Sequence, residues 1–504
     1  MKILTSFPSL EKNPARLFWL LAGFHLVAWI VIPTLVNPNV LMDVVEGYAW
    51  GREWPLGTHK HPPLQAWLLE ICAVLTGRAP WAHYVLNQIS VLTAFWAVWQ
   101  TGKRIVGEPG AVIGALLLAA VAYYNIITPA FNPNVLQLPF WALMGWSFHR
   151  AVKDNRILDW AALGLWSAGG LYAKYSTVLL MLVLGVLMFA HADSRKRLAS
   201  PGPWLAVLVA LLLFLPHFLW LADHQFMPFR YTGERFEEIP HVLAVLIAPG
   251  MFVIAQIAAL LPAIILFGTV FWRSAKFKPA ALRSFDGMFL SFVTFGPLLI
   301  ACAIAAVGEV RIRNMWGTSF WNFAGLWAVF FFRPAFTPKT LRFFVQGWLL
   351  IFATGLAVFA AADGLGPYIT QKAKRFHFPG RILAETVSQI WHERYQTPLR
   401  YVIGDVWVAG NVAYYAPDRP HVLIRANYDF SPWVRPEDIK RDGGVVVWCW
   451  GSCITDETSA KAPYIAKKFP TAEIQPPLVI PQLTAADVPP VRVHWAIVPP
   501  EKRD

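Results

Sequence analysis

Between Ala15 and Ala362 the chain carries one apolar run of about twenty residues after another, and nothing else in it constrains the fold as much. A helix rises about 1.5 Å per residue, so runs of that length span about 30 Å of hydrocarbon. Within hydrocarbon every backbone amide must be satisfied inside the protein, which leaves helices or a closed barrel. Apolar residues here follow one another instead of alternating, and that excludes an outer-membrane barrel. Only 14% of residues are charged and 56% are hydrophobic, where a soluble domain has about 25% charged. A soluble enzyme, a disordered chain, a collagen and a small disulfide scaffold are excluded, and the expected class is an α-helical polytopic membrane protein.

A net charge of +13 would point to nucleic acid in a soluble protein. In this chain the Lys and Arg fall mostly in short loops between apolar runs, where they report topology instead. Spans are expected near 15–36, 81–101, 109–128, 135–152, 158–173, 175–192, 203–222, 241–271, 285–308, 315–332 and 343–362. With a cytoplasmic N-terminus, these eleven crossings leave eighteen Lys and Arg inside and eight outside before the C-terminal region. The first run has no small-residue cleavage site after it and reads as a retained span, not a signal peptide. Residues 62–77 are apolar but too short to cross, and counting them as a span would put Arg195, Lys196 and Arg197 outside. They read as a re-entrant or interfacial outer helix within a loop of residues 37–80.

After Asp363 the spans stop, and short Val/Ile/Tyr-rich runs alternate with Gly, Pro and Asp turns. Residues 1–362 are therefore expected to form the transmembrane domain and 363–504 a small α/β domain, with a helix at Ala384 to Tyr395 and strands at Arg400 to Ile403 and Val445 to Cys449. An odd number of crossings puts this domain outside, in the periplasm. From Gln371 onward it has 17 basic and 14 acidic residues, too balanced for a nucleic-acid surface. Cys72 and Cys302 read as small buried thiols, whereas Cys449 and Cys453 lie close enough for a disulfide in an oxidising compartment. No partner Cys/His pair supports zinc, and no Walker, Rossmann or metalloprotease motif is present.

The candidate functional residues are polar groups beside the expected membrane surface. Asp43 and Glu46, at i and i+3, share one face of a helical turn, as a site or as a solvated amphipathic loop. Lys60 and His61 precede Pro62-Pro63, whose fixed backbone aims its neighbours, and read as phosphate contacts or as a surface patch. Lys174, in Ala173-Lys174-Tyr175-Ser176 between two short spans, either meets an anion or snorkels to water. The segment with His217, Trp220, His224 and Arg230 mixes aromatics, His and Arg as a sugar or phosphate site does, or as interface anchors do. Asn134, Arg235, Arg311, Arg313 and Trp316 fall on the same outer side.

The order of these blocks resembles the GT-C membrane glycosyltransferases: an acidic first outer loop, His61-Pro62-Pro63-Leu64 with Trp67, Lys174-Tyr175-Ser176 between short spans, then an external C-terminal domain. The nearest groups are the aminoarabinose and protein mannosyltransferases, with the rhizobial galacturonosyltransferase-like domain, over roughly residues 15–330. The resemblance implies a polyprenyl-phosphate sugar donor in the outer leaflet, Asp43 as general base, and Lys174 with Tyr175 as the lysine-tyrosine pair. Lys60, His61 and Arg230 would then face the donor phosphate, and Asn134, His217 and His224 the sugar or acceptor. Two departures stand out: His61 occupies a position commonly lysine in the aminoarabinose transferases, and Asn134 replaces an expected acid.

Sugar transfer from a phosphate ester needs charge stabilisation on the leaving phosphate and a base for the acceptor hydroxyl, which these residue types supply. Glu46 could orient the acceptor or bind a divalent cation, although two carboxylates do not specify a metal. The expectation is an inverting transferase in a bacterial inner membrane. It moves a lipid-linked sugar to a lipid, glycan or protein acceptor on the periplasmic face, with no nucleic-acid partner. The rival readings are a secondary transporter or flippase, disfavoured because its site would lie near the bilayer midplane, and an inactive scaffold, which the Asn134 departure keeps open.

Overall fold

The structure is a computed structural model that describes residues 13–233, 241–449 and 468–501, without the side chains of Thr232 and residues 241–246. In chain order the helices are α1 (Pro14–Val36), α2 (Met42–Gly51), α3 (Leu64–Thr76), α4 (Ala82–Ile105), α5 (Gly107–Leu116), α6 (Pro133–Asp154), α7 (Ile157–Ala173), α8 (Thr177–Ala190), α9 (Ala192–Arg195), α10 (Pro201–Asp223), α11 (Met227–Gly233), α12 (His241–Phe271), α13 (Phe285–Val307), α14 (Ala324–Phe332), α15 (Pro338–Gly364) and α16 (Gly366–Thr370). The α/β region follows with α17 (Gly380–Tyr395), β1 (Tyr401–Gly404), α18 (Val406–Tyr415), β2 (His421–Ile424), α19 (Pro436–Asp442), β3 (Gly444–Trp448), β4 (Glu473–Ile480) and β5 (Val491–Val498).

Two compact units emerge. The first holds residues 1–31, 60–64 and 84–358, and the second residues 32–59, 65–83 and 359–504. The helices between residues 37 and 80, α2 and nearly all of α3, thus fold with the C-terminal region, so the compact units do not follow the chain boundary at residue 362.

In the first unit, α10, residues 247–271 of α12, and α13 are long and apolar enough to cross a membrane, as are α1 and α15, which run on into the second unit. A sixth crossing results if α8 and residues 192–199 count as one span bent by 93°. Two of the expected spans are not single helices. The run 109–128 breaks after α5 into 3-10 turns, where Asn125 Nδ2 donates to Ala119 O at 2.8 Å and Thr128 Oγ1 to Asn125 O at 2.7 Å. The run 315–332 opens as a 3-10 helix over Asn314–Trp321, with Thr318 Oγ1 donating to Met315 O at 2.6 Å. In both, short polar side chains capture backbone groups that a continuous helix would use. The expected outer helix at 62–77 is α3, whose thirteen residues are too few to span.

Close backbone contact joins α7 to α10, where a Cβ at Gly164 would lie 2.4 Å from the Ala206 carbonyl oxygen, so this crossing accepts no larger residue. One end of the unit gathers charges assigned to a single side of the membrane. Arg104 pairs with Asp154 at 2.6 Å, Arg150 with Asp159 at 2.9 Å, and Lys153 and His149 with Asp286 at 3.2 and 2.9 Å. The ends of α4 and α6 and the starts of α7 and α13 thus meet through these pairs.

The second unit contains a five-stranded sheet ordered β2-β1-β3-β5-β4, parallel across β2, β1 and β3 and antiparallel from β3 to β5 and β4. Ile403, Leu423, Val446, Trp448, Ala496 and Val498 are central to its apolar core. Asp405 caps α18, its carboxylate accepting from Trp407 N at 3.0 Å. The small α/β region expected after Asp363 is present. Cys453 lies outside the described residues, and with it the Cys449–Cys453 pairing; Arg235 lies outside them too.

Candidate active site

In the first unit Lys174 lies in the link between α7 and α8, outside both helices, and is half-buried. Its Nζ donates to Asn134 Oδ1 at 2.5 Å and sits 5.5 Å from the Trp316 ring centroid. Lys174 makes no ion pair among the described residues. Burial pulls its ammonium down to about 7. A carboxylate at position 134 would neutralise this lysine, but the amide only holds it. The aspect of Asn134 that looked like a loss in the sequence therefore leaves a positioned cation with no carboxylate partner among the described residues.

Asn134 is aimed by the start of α6. Asn132 is its N-cap, with Oδ1 accepting from Asn134 N at 2.9 Å and Val135 N at 3.2 Å, and Pro133 fills the first helical position. Asn134 Nδ2 reaches Met315 Sδ at 3.7 Å. Gln137, one turn further along α6, missed in the sequence reading, ties the surroundings together. Its amide lies within hydrogen-bonding distance of Ser176 Oγ (3.0 Å), Thr177 Oγ1 (2.8 Å) and Ser319 Oγ (3.0 Å). The only signal of it was one amide in the apolar run Leu136 to Leu138.

Beside Lys174, Tyr175 OH meets His217 Nε2 at 3.0 Å, and the His217 ring stacks on Trp220, itself stacked on His224. His217 is fully buried, and His224 Nδ1 is bonded to Trp220 O at 2.9 Å. These histidines brace the end of α10. Arg230 on α11 is exposed and donates to Gln225 Oε1 at 3.4 Å. Lys60 and His61 belong to the same unit and are half-buried, each with partners.

Asp43 and Glu46 lie in the second unit on the first turns of α2, as their spacing implied. Their environments differ. Asp43 is half-exposed, and its carboxylate has no hydrogen bond or ion pair among the described residues. Glu46 is only 5% exposed and is engaged. Gln65 Nε2 donates to Asp43 O at 2.9 Å and fixes the first turn of α2 against α3. A solvated carboxylate without a partner can take up a proton, whereas a buried and engaged one suits holding. Among the described residues no three His, Cys, Asp or Glu side chains gather as a metal site.

The family model described as dolichyl-phosphate-mannose-protein mannosyltransferase matches residues 60–220. In sequence the chain is similar to the lipopolysaccharide core galacturonosyltransferases RgtA and RgtB of Rhizobium johnstonii. Identity to RgtA is 22% over 302 residues, 59% of this chain and 60% of RgtA; to RgtB it is 22% over 460 residues, 87% and 88%. The chain thus spans about 60% of RgtA's length. In fold it is similar to ArnT from Cupriavidus metallidurans bound to undecaprenyl phosphate, with a TM-score of 0.62, 13% identity and coverage of 97% of this chain and 98% of that one.

Proposed function

We propose that this chain is a GT-C membrane glycosyltransferase that moves a sugar from a polyprenyl-phosphate donor to a lipid, glycan or protein acceptor on the periplasmic face of a bacterial inner membrane. The observation that carries this reading is the Lys174 ammonium, oriented by a neutral amide and without a carboxylate partner among the described residues. Such a cation attracts an anionic leaving group. Further support comes from the lipopolysaccharide galacturonosyltransferases similar in sequence and from ArnT, described with undecaprenyl phosphate, similar in fold.

In the proposed reaction the acceptor hydroxyl oxygen attacks the anomeric carbon, the bond from that carbon to the phosphate oxygen breaks, and the configuration inverts. Lys174 stabilises the charge gathering on the departing polyprenyl phosphate. Asp43 takes the hydroxyl proton and Glu46 orients the acceptor. Lys60, His61 and Arg230 contribute positive potential toward the donor phosphate.

The test is a titration of the purified chain, Lys174→Ala and Lys174→Arg with a polyprenyl-phosphate sugar. A charge-assisted hydrogen bond contributes about 1.5–3 kcal/mol, so Lys174→Ala should weaken donor binding about tenfold to a hundredfold. Lys174→Arg should fall between, keeping the charge but not the shape. Unchanged affinity in Lys174→Ala would remove the lysine from the donor site and return the snorkelling reading.

A further inference from the structure

The last turn of α2, the turn after α3 and the turn after α18, all in the second unit, bring three guanidinium groups to one small pocket. Its lining includes Tyr48, Arg52, Arg78, Tyr414 and Arg419. Arg419 is bound by Glu70, Nη2 donating to the carboxylate oxygens at 2.8 and 3.0 Å. Arg78 Nη1 donates to Tyr414 O at 2.7 Å and Ala416 O at 3.0 Å. Arg52 Nη2 lies 3.4 Å from His421 Nε2, and His421 Nδ1 lies 2.7 Å from Glu53 Oε1. Three guanidiniums therefore meet two carboxylates, and Arg381, close enough to repel Arg78, adds a fourth positive charge.

Two donors in the pocket have no acceptor among the described residues. Tyr48 is 4% exposed, packed against the Tyr414 ring at 4.8 Å, and its buried hydroxyl has no hydrogen-bond partner. Arg52 Nη1 is likewise buried and unpartnered. Burial above all, and then the charge of Arg419, pulls the Arg52 and Arg78 guanidiniums below their ordinary value. Buried donors without acceptors are costly and rare in folded proteins. Arg78 and Arg419 also sit at φ of 64° and 50°, in the left-handed region.

We propose that this pocket binds one small monovalent anion of halide size, chloride being the abundant case. Size favours that class: the space open to the centre of a water-sized body is about 10 Å³, on the scale of one water or one monatomic ion and too small for a sugar. Charge selects it over water. The positive excess favours a negative charge, and the two donors call for an acceptor, while a water would bring two hydrogens to a site already rich in donors. Bound there, the anion fastens the end of α2, the helix of Asp43 and Glu46, to the turn after α18.

The test uses the full chain purified in detergent, with its thermal midpoint read at fixed ionic strength in sodium chloride, sodium gluconate and sodium phosphate. Chloride should raise the midpoint of the wild type above that in gluconate by several degrees, saturably, because a ligand that binds only the folded state stabilises it. Tyr48→Phe should abolish most of that difference and lower the midpoint in chloride but not in gluconate. An empty pocket predicts the opposite sign, since deleting an unsatisfied buried hydroxyl is neutral or stabilising, and a water-filled pocket predicts the same loss in chloride as in gluconate; either result would overturn the proposal. Equal midpoints in chloride and gluconate, with Tyr48→Phe as stable as wild type, would overturn the proposal, as would a response to phosphate alone. Soaked bromide should give an anomalous peak between Tyr48 and Arg52, and its absence would count against the site independently of stability.

Discussion

Lys174 and Asn134, forty residues apart in sequence, meet through a 2.5 Å hydrogen bond in which the ammonium donates to an amide that bears no charge. A carboxylate in the same place would form an ion pair and compete with any anionic ligand. Asn134→Asp should therefore raise the Lys174 pKa and weaken binding of a polyprenyl-phosphate sugar about tenfold or more, with the fold intact. Titration of donor into the purified variant reads this directly. Tighter donor binding in Asn134→Asp would mean that the uncompensated charge is not what the donor meets.

The same lysine gives the donor affinity a pH dependence whose sign is fixed. Burial lowers the Lys174 pKa to about 7, so the free protein holds the ammonium below that pH and loses it above. A phosphodiester donor keeps its single negative charge throughout this range. Binding above pH 7 must then be accompanied by proton uptake, and the dissociation constant should rise by up to about tenfold per pH unit from pH 7 to 9. It should be flat between pH 5.5 and 6.5. In Lys174→Arg, which stays charged, the rise should vanish. A wild-type profile flat to pH 9 would assign the phosphate to a different cation.

Hydropathy and turn signals made the membrane class, the short apolar helix α3 and the C-terminal sheet legible, because each depends on residues close in sequence. The breaks in 109–128 and 315–332 were not legible. Averaged hydropathy does not register Asn125 or Thr318 taking a backbone carbonyl from the helix. Asp43, Glu46 and Lys174 stood out because carboxylates and lysines beside apolar runs are costly unless used. The meaning of Asn134 did not stand out, since it depends on a partner one helix hairpin away. His217 and His224 read equally as sugar or phosphate contacts and as interface anchors from residue type alone, and the structure stacks both on Trp220, with His217 also meeting the Tyr175 hydroxyl.

Gln137 offers a test of positioning as opposed to contact. Its amide joins Ser176 and Thr177, immediately after Lys174, to Ser319 of the 3-10 helix. Gln137→Leu keeps the approximate volume but leaves three hydroxyls to find other partners, at a cost of about 1–3 kcal/mol in stability. If the amide positions Lys174, the variant should raise KM for the donor more than it lowers kcat, and Gln137→Glu should restore part of the loss by accepting from Ser176 and Thr177. Unchanged KM with only a lower thermal midpoint would make the amide structural alone.

Asp43 and Glu46 share one face of α2 but not one environment, and the roles proposed for them differ accordingly. Asp43 is half-exposed with a carboxylate that has no partner among the described residues, while Glu46 is 5% exposed and engaged. Asp43→Asn keeps size and hydrogen bonding but cannot accept a proton at neutral pH. Turnover should fall about 10²-fold or more with donor affinity unchanged. Glu46→Gln keeps most of its contacts, so it should lower turnover less and raise KM for the acceptor. Sugar transfer by both variants in liposomes, at saturating donor, separates the two. A collapse in Glu46→Gln beside near-normal turnover in Asp43→Asn would exchange their roles. Full activity in both would place the base outside α2.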